Sequence, residues 1–238
     1  HMDSIGFTVK YNNEIIKIGG PVVKNGIELI GSDSKGKVEG KIIKKNEKIF
    51  IDFKREIDRG TSLTFKMNFK EVKDYIQSSY LDNRLGVWNA LKVAENLENG
   101  IIVFSCWEEH GGGSVGFLTN FIHTKYNISQ ALISDITWVT EGVKAGEGVA
   151  ISFRDSGIPR KKFVNIIIDL AKKYNISYQL EVESSGGSDG NEIQKSPFPI
   201  DWCFIGAAEQ NVHSPKEKVH KDDIKSMVEI YEMLMKEL

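Results

Sequence analysis

After residue 80 the chain settles into an alternation of short, continuously apolar runs and longer amphipathic stretches, and this rhythm restricts the fold more than any other feature. Leu85, Trp88, Leu91 and Ala94 fall at helical spacing within 83–99, with Gly100 placed to end the helix. IIVFSC (101–106) is then apolar throughout, as a strand covered on both faces would be. SVGFLTNFIHTKY reads as a second helix and QALIS as a second buried strand. GVAISFRD supplies another strand, followed by a helix that opens near Pro159 and runs through KKFVNIIIDLAKKY. SYQLEV and DWCFIG read as further strands. An amphipathic helix from Asp222 to Leu238 closes the chain, with Met227, Ile230, Met233 and Leu234 as an apolar stripe that belongs in a core or an oligomer contact. Strands and helices alternating at these lengths imply an α/β fold, a sheet covered by helices.

Before residue 80 the period changes. IGFTVKY, EIIKIGG, KVEGKIIKK, KIFIDF and TSLTFKMNF alternate apolar with polar, separated by turn signals at Asn12-Asn13, Lys24-Asn25-Gly26 and Asp58-Arg59-Gly60. Such segments describe small antiparallel β structure. The expected organisation is an α/β domain formed by 1–20 and 74–238, with a small β domain inserted at 21–73.

The 31 basic residues nearly balance the 33 acidic ones, giving a net charge of −2, and the two signs are interspersed. That balance points to neither nucleic acid nor a membrane surface as a partner. No apolar run reaches the ~18 residues of a membrane span. The first residues lack the basic region and apolar core of a secretion signal. Cys106 and Cys203 each lie in an apolar stretch and read as free thiols of a reducing compartment. We therefore expect a cytoplasmic protein that folds without disulfide staples.

In open α/β sheets the ligand site lies at the carboxyl ends of the strands. Several acids and histidines fall there. Asp82 follows SSYL and precedes a helix, Glu108 and Glu109 follow IIVFSCW, Asp135 ends QALIS, and His213 lies in the loop after DWCFIG. Carboxylate and imidazole ligands suit zinc, cobalt or manganese, and a second metal about 3.5–4 Å from the first needs a bridging carboxylate. Each residue taken alone has a plainer role: Asp82 as a helix cap, the Glu pair as a solvated loop, His213 as a surface hydrogen-bonding group. Their occurrence as a set, each at a strand end, is what points to a metal centre. His123 and His220 lie on helical or charged surface, where a solvated role is expected.

These residues carry a resemblance. HMDSIGF resembles the opening His-x-Asp-x-Ile-Gly-Phe motif of the glutamyl/deblocking aminopeptidase family of two-metal peptidases. YLDNRLG resembles that family's Leu-Asp-Asp-Arg-x-Gly segment, WEEHG its Glu-Glu-x-Gly pair, SDIT its aspartate segment, and NVHSPKE its closing His-Ser-x-x-Glu. GEGVAISFRD, YQLEV and SGGSDG are also similar to family stretches, so the likeness covers nearly the whole chain. It implies a mixed sheet of the zinc-aminopeptidase type with an inserted barrel-like β domain. It implies two divalent ions per subunit (zinc, cobalt or manganese), with His1 and Glu109 on one, Asp135 and His213 on the other, and Asp82 bridging. Glu108 would be the general base, and Asp3 would orient the His1 imidazole. The implied substrates are peptides with free N-termini, with acidic first residues as the family's preference, and the implied assembly is a homo-oligomer, in some members a tetrahedral dodecamer.

The sequence departs from the family in three places. It opens directly on the His1 motif, where members carry several tens of earlier residues, including part of the catalytic sheet. A His-Met start is also what a cloning scar leaves, although the motif accounts for seven residues and the scar for two. The β-rich stretch is shorter than the family's inserted domain. GGGS follows the Glu-Glu-His run, and SDGN stands where a Ser/Thr-Asp-Ala segment is usual.

Three other readings are open. Gly186-Gly187-Ser188-Asp189-Gly190 fits G-x-S-x-G, His110-Gly111-Gly112-Gly113 resembles an esterase oxyanion loop, and Asp201 and His213 follow in triad order, so a serine hydrolase using Ser188 is conceivable. Pro197 and Pro199 argue against it, because they leave little room for the helix that must follow a nucleophile elbow. A metal-dependent deacylase would keep the ions and change the bond cleaved, with His110, Trp107, Trp138 and Trp202 near its pocket. A catalytically inactive paralogue would assemble and not turn over.

Overall fold

A computed structural model describes all of residues 1–238. The chain forms two sheets. The smaller contains β1 (Gly6–Val9), β2 (Ile15–Ile18), β3 (Glu28–Asp33), β4 (Gly36–Lys45), β5 (Lys48–Asp52) and β6 (Ser62–Phe65) in the order β2-β1-β6-β3-β4-β5. Every pairing in it is antiparallel, as the alternating segments and short turns require. On β4 only Val38 and Ile42 are buried, which leaves one face of the strand in the core and the other in solvent. Phe7, Val9, Ile15, Leu29, Leu63 and Phe65 close that core. β1 and β2 were expected with the α/β domain. They lie in the small sheet instead, because Phe7, Val9 and Ile15 bury against Leu63 and Phe65, so the change of sheet falls after Phe65 and not at residue 20.

The larger sheet contains β7 (Lys70–Val72), β8 (Tyr75–Ser78), β9 (Gln130–Trp138), β10 (Val149–Arg154), β11 (Tyr178–Val182), β12 (Asp201–Gln210) and β13 (Glu217–His220). Its order is β11-β10-β12-β13-β8-β7, with β9 beside β12. β9 runs parallel to β12 and β10 parallel to β11, while the remaining pairs are antiparallel, so the sheet is mixed. β12 is buried without interruption from Trp202 to Glu209 because helices and loops cover both its faces.

The helices are α1 (Leu81–Ala94), α2 (Val115–Tyr126), α3 (Lys161–Lys173), α4 (Gly190–Lys195) and α5 (Lys221–Glu237). Phe163, Val164 and Ile167 of α3 pack with Met227, Ile230 and Leu234 of α5 on Ile151, Ile205 and Ala207 of the sheet. Each large apolar side chain so buried contributes about 1.5–3 kcal/mol. The stripe expected on the last helix is therefore core. No helix is long and apolar enough to cross a membrane, and both cysteines are free.

One expected strand is absent. IIVFSC is irregular, and Ile101, Val103 and Phe104 are part-exposed beside an apolar cavity of about 570 Å³ bounded by α1, α2, β9 and α5. An apolar run becomes a strand only where a neighbour completes its ladder. Here the Ser105 carbonyl accepts from the Met2 N–H at 2.9 Å, and no strand pairs with 101–106.

Candidate metal centre

The site forms where β9, the start of α1 and three loops converge. Asp82 stands just before the regular part of α1: its φ of −79° and ψ of 106° are not helical. Asn83, and not Asp82, caps the helix, its Oδ1 accepting from the Gly86 N–H at 2.9 Å. Its Nδ2 donates to the Ser134 carbonyl at 3.0 Å and so ties α1 to β9. Gly86 permits this approach, since a Cβ there would lie 2.1 Å from the Ser134 oxygen.

With the cap supplied by Asn83, the Asp82 carboxylate is left to lie between two imidazoles. His1 Nε2 is 3.3 Å from its Oδ1, and His213 Nε2 is 3.2 Å from its Oδ2. Asp135, expected at a strand end, lies inside β9, which continues to Trp138, and brings Oδ2 to 3.5 Å from His1 Nε2. Glu109 brings Oε2 to 3.3 Å from His213 Nε2. The grouping differs from the one implied by the family likeness: His1 goes with Asp135 and His213 with Glu109, with Asp82 shared. The turn at 19–22 explains the difference. The Val22 N–H donates to the His213 carbonyl at 2.8 Å. Gly20 lies against the His213 ring and Gly19 against Glu109, so one turn holds both residues on the same side.

Asp3 has two tasks. The His1 ring donates through Nδ1 to the Asp3 carbonyl at 3.0 Å, which fixes the ring with Nε2 facing the carboxylates. The Asp3 carboxylate meanwhile accepts the N–H groups of Glu108 and Glu109, each at 3.2 Å. The second task was not foreseen from sequence. Glu217 was also missed as a site residue, although it closes the NVHSPKE motif. Fully buried, it accepts from the Leu81 N–H at 2.6 Å and the Asp82 N–H at 3.4 Å, fixing the main chain that presents Asp82. Tyr80, Trp107 and His213 all take positive φ values of 61–68°. Such strain costs of order 1–3 kcal/mol per residue and concentrates at functional sites.

The electrostatics are those of a cation site. Burial would lower the His213 pKa, but Asp82 and Glu109 outweigh it and push it up to about 10. His1 is driven up against the same penalty by Asp3, Asp82 and Asp135. Burial raises Asp82, yet the two imidazoles beside it bring it below the usual range. Asp135 is raised by burial, only partly offset by His1. Glu108, whose Oε2 lies 3.7 Å from His1 Nε2, is pushed up to about 8 by burial and then by the charge of Asp135. Asp82 Oδ1 and Glu109 Oε1 are buried with no hydrogen-bond partner. Leaving such oxygens uncompensated is costly, and oxygens and imidazoles at these separations are a donor set that fits divalent cations. His1, Asp82 and Glu109 alone bring ligand atoms within 4.8 Å of one another.

The serine triad does not assemble. Ser188 is buried and donates to Asp155 at 3.2 Å, Asp201 pairs with Arg160, and His213 is engaged by Asp82 and Glu109. His110 is exposed on its turn, His123 bonds to the Ile128 carbonyl, and His220 accepts from the Asp222 N–H at the start of α5.

The family model of the M42 glutamyl aminopeptidases matches residues 31–230. An Acetivibrio thermocellus protein provisionally named as an aminopeptidase is 34% identical over 167 residues, which are 66% of this chain and 50% of that protein. The chain thus spans half the length of that curated relative. A succinyl-diaminopimelate desuccinylase of Blochmanniella floridana is 38% identical over 78 residues, 32% of this chain and 20% of that enzyme. Among solved structures, an aminopeptidase of the archaeon Desulfurococcus kamchatkensis superposes with a TM-score of 0.87 at 22% identity, covering 100% of this chain and 78% of that one. The TET1 peptidase of Pyrococcus horikoshii, described as assembling into a tetrahedron or a large octahedral shell, gives 0.84 at 23%, covering 100% and 82%. These likenesses establish the fold.

Proposed function

The chain belongs to the M42 glutamyl aminopeptidase family, and on that footing we propose that it is the catalytic portion of a metal-dependent aminopeptidase that releases N-terminal residues from short peptides. The observation that carries the reading is Asp82 lying between His1 and His213, each with a further carboxylate of its own. His1, Asp82 and Asp135 would hold one divalent ion, and His213, Asp82 and Glu109 the other; zinc, cobalt and manganese all suit these donors. Two such ions would acidify the attacking water and stabilise the negative charge developing on the scissile carbonyl oxygen.

The chain's own residues supply the rest. Glu108 stands at the edge of the cluster, its Oε2 3.7 Å from His1 Nε2, placed to take a proton from water and return it to the departing amine. Asp3 holds the Glu108–Glu109 turn, so the base and one ligand are positioned by the residue that also orients His1. Asp135 and Asp82 keep the ring of His1 facing inward.

The larger sheet with its helices would form the catalytic unit and the smaller sheet an accessory unit. We further propose a cytoplasmic homo-oligomer; the assembly described for the P. horikoshii neighbour and the two free thiols support this. A second reading, a metal-dependent deacylase, draws on the 78-residue likeness to the desuccinylase. Peptides with free and N-succinylated termini separate the two readings, since only one class should turn over.

The direct test is Glu108→Gln. Turnover of an aminoacyl anilide should fall by about 10²–10⁴ or more, the contribution of a general base, while bound metal stays at the wild-type level. Retained hydrolysis would contradict the assignment of Glu108.

A further inference from the structure

Behind the metal centre the larger sheet buries an acid that no step above uses. Glu209, near the end of β12, is 1% exposed, and neither of its carboxyl oxygens has a hydrogen-bond partner. It lines neither the cavity at the metal centre nor the larger apolar one. By strand alternation it continues the row Cys203, Ile205 and Ala207, whose core includes α3 and α5. Across the antiparallel β12–β13 ladder Glu209 pairs with Val219. Glu217, two residues before Val219, therefore shares its face as a diagonal neighbour, a separation that long side chains span. Glu217 is 0% exposed. Its Oε2 holds the Leu81 and Asp82 N–H groups, and its Oε1 has no partner.

On this face, then, three buried carboxyl oxygens are without donors. Such oxygens persist when a proton or a cation compensates them. The charges that act most on Glu209 are Glu217 of β13, Asp82 at the start of α1, Asp135 of β9 and Glu109, all of them negative. Burial first, and then Glu217, holds the Glu209 carboxyl well above the usual range. Burial and Asp82 push Glu217 up as well, but the Leu81 and Asp82 N–H groups pull it back. Glu209 has no such donor. In an interacting pair of acids, the member that accepts N–H bonds is the one that ionises, and the proton stays on the other.

We infer that Glu209 is kept neutral and donates its carboxyl hydrogen to Oε1 of Glu217. Glu217 then remains a carboxylate with both oxygens engaged, one by Glu209 and one by the main chain that presents Asp82. Glu209 is thus a positioning residue: it acts on the shared aspartate through Glu217 and touches neither ion.

Infrared difference spectra between the wild type and Glu209→Gln at pH 7 read the proton directly. The wild type should show the carbonyl stretch of a protonated carboxyl group that the variant lacks, and loss of a carboxylate band in its place would overturn the inference. Melting gives a second reading. A carboxyl whose folded-state pKa is raised destabilises the fold progressively as pH climbs above its unfolded value of about 4.3, because folding must then take up a proton. The melting temperature of Glu209→Gln should accordingly gain on that of the wild type between pH 5 and pH 8; a difference that is flat with pH would contradict the neutral acid. Zinc affinity tests the positioning role. Glu209→Leu cannot donate and should bind zinc about 10–100-fold more weakly, whereas Glu209→Gln, whose amide can donate to Glu217, should recover most of that loss. Equal losses in the two variants would refute the donated bond, and so would one bound ion fewer in Glu209→Gln by elemental analysis, which would make the pair a cation site. If Glu209→Leu fails to fold, the infrared band and the melting trend still decide, and both do so whatever bond the metal centre cleaves.

Discussion

At the scale of single residues the site is a matter of division of labour among acids. Asp82 can serve two imidazoles because Asn83 supplies the helix cap and Glu217 holds the main chain. Asp3 couples the His1 tautomer to the placement of Glu108 and Glu109. Asp3→Ala should therefore weaken metal binding by about 10–100-fold, the usual effect of losing a partner behind a ligand. Competition against a chelator of known affinity would measure it, and unchanged affinity would contradict the role given to Asp3. Expected strand ends singled out Asp82, Glu108, Glu109, Asp135 and His213 in the sequence, although 101–106 forms no strand, and His1 was legible only through the HMDSIGF likeness. Which histidine joins which carboxylate was not legible, because it depends on the 19–22 turn meeting His213 and Glu109 in space. The duties of Asp3 and Glu217 toward main-chain N–H groups were hidden for the same reason.

At the scale of elements, periodicity predicts best where one face is buried. β4, α3 and α5 match their patterns because each lays a single apolar face on a core. The pattern failed at 101–106, where apolar composition was read as a strand without a partner strand to pair with it. It also could not say which sheet β1 and β2 join, since an alternating strand suits either. In the smaller sheet, a paired carboxylate holds a loop to a strand. Asp33 of β3 accepts two bonds from the Arg55 guanidinium, as well as the N–H groups of Lys35 and Asp58. The guanidinium holds the Asp33 carboxyl well below the usual carboxylate range. A folded-state pKa below the unfolded value gives stability that is fully present above about pH 4 and is lost as pH falls below it. Asp33→Asn should accordingly melt at a lower temperature than the wild type at pH 7, with the gap narrowing as pH drops from 4 toward 2. A gap that is constant with pH would contradict the pairing.

At the scale of the whole molecule, two sheets with separate cores meet around a concentration of negative charge that the near-neutral composition conceals. The net charge of −2 comes from interspersed surface pairs, while the cavity gathers carboxylates whose basic neighbours are His1 and His213 alone. Metal stoichiometry is the measurement that reaches this most directly. Equilibrium dialysis against zinc followed by elemental analysis should give two ions per wild-type chain. His1→Ala and His213→Ala should each retain one, and Asp82→Ala should retain neither at the same free zinc. A wild-type chain that binds one ion or none, or an Asp82→Ala variant that still binds two, would contradict the shared-aspartate centre on which the proposed function depends.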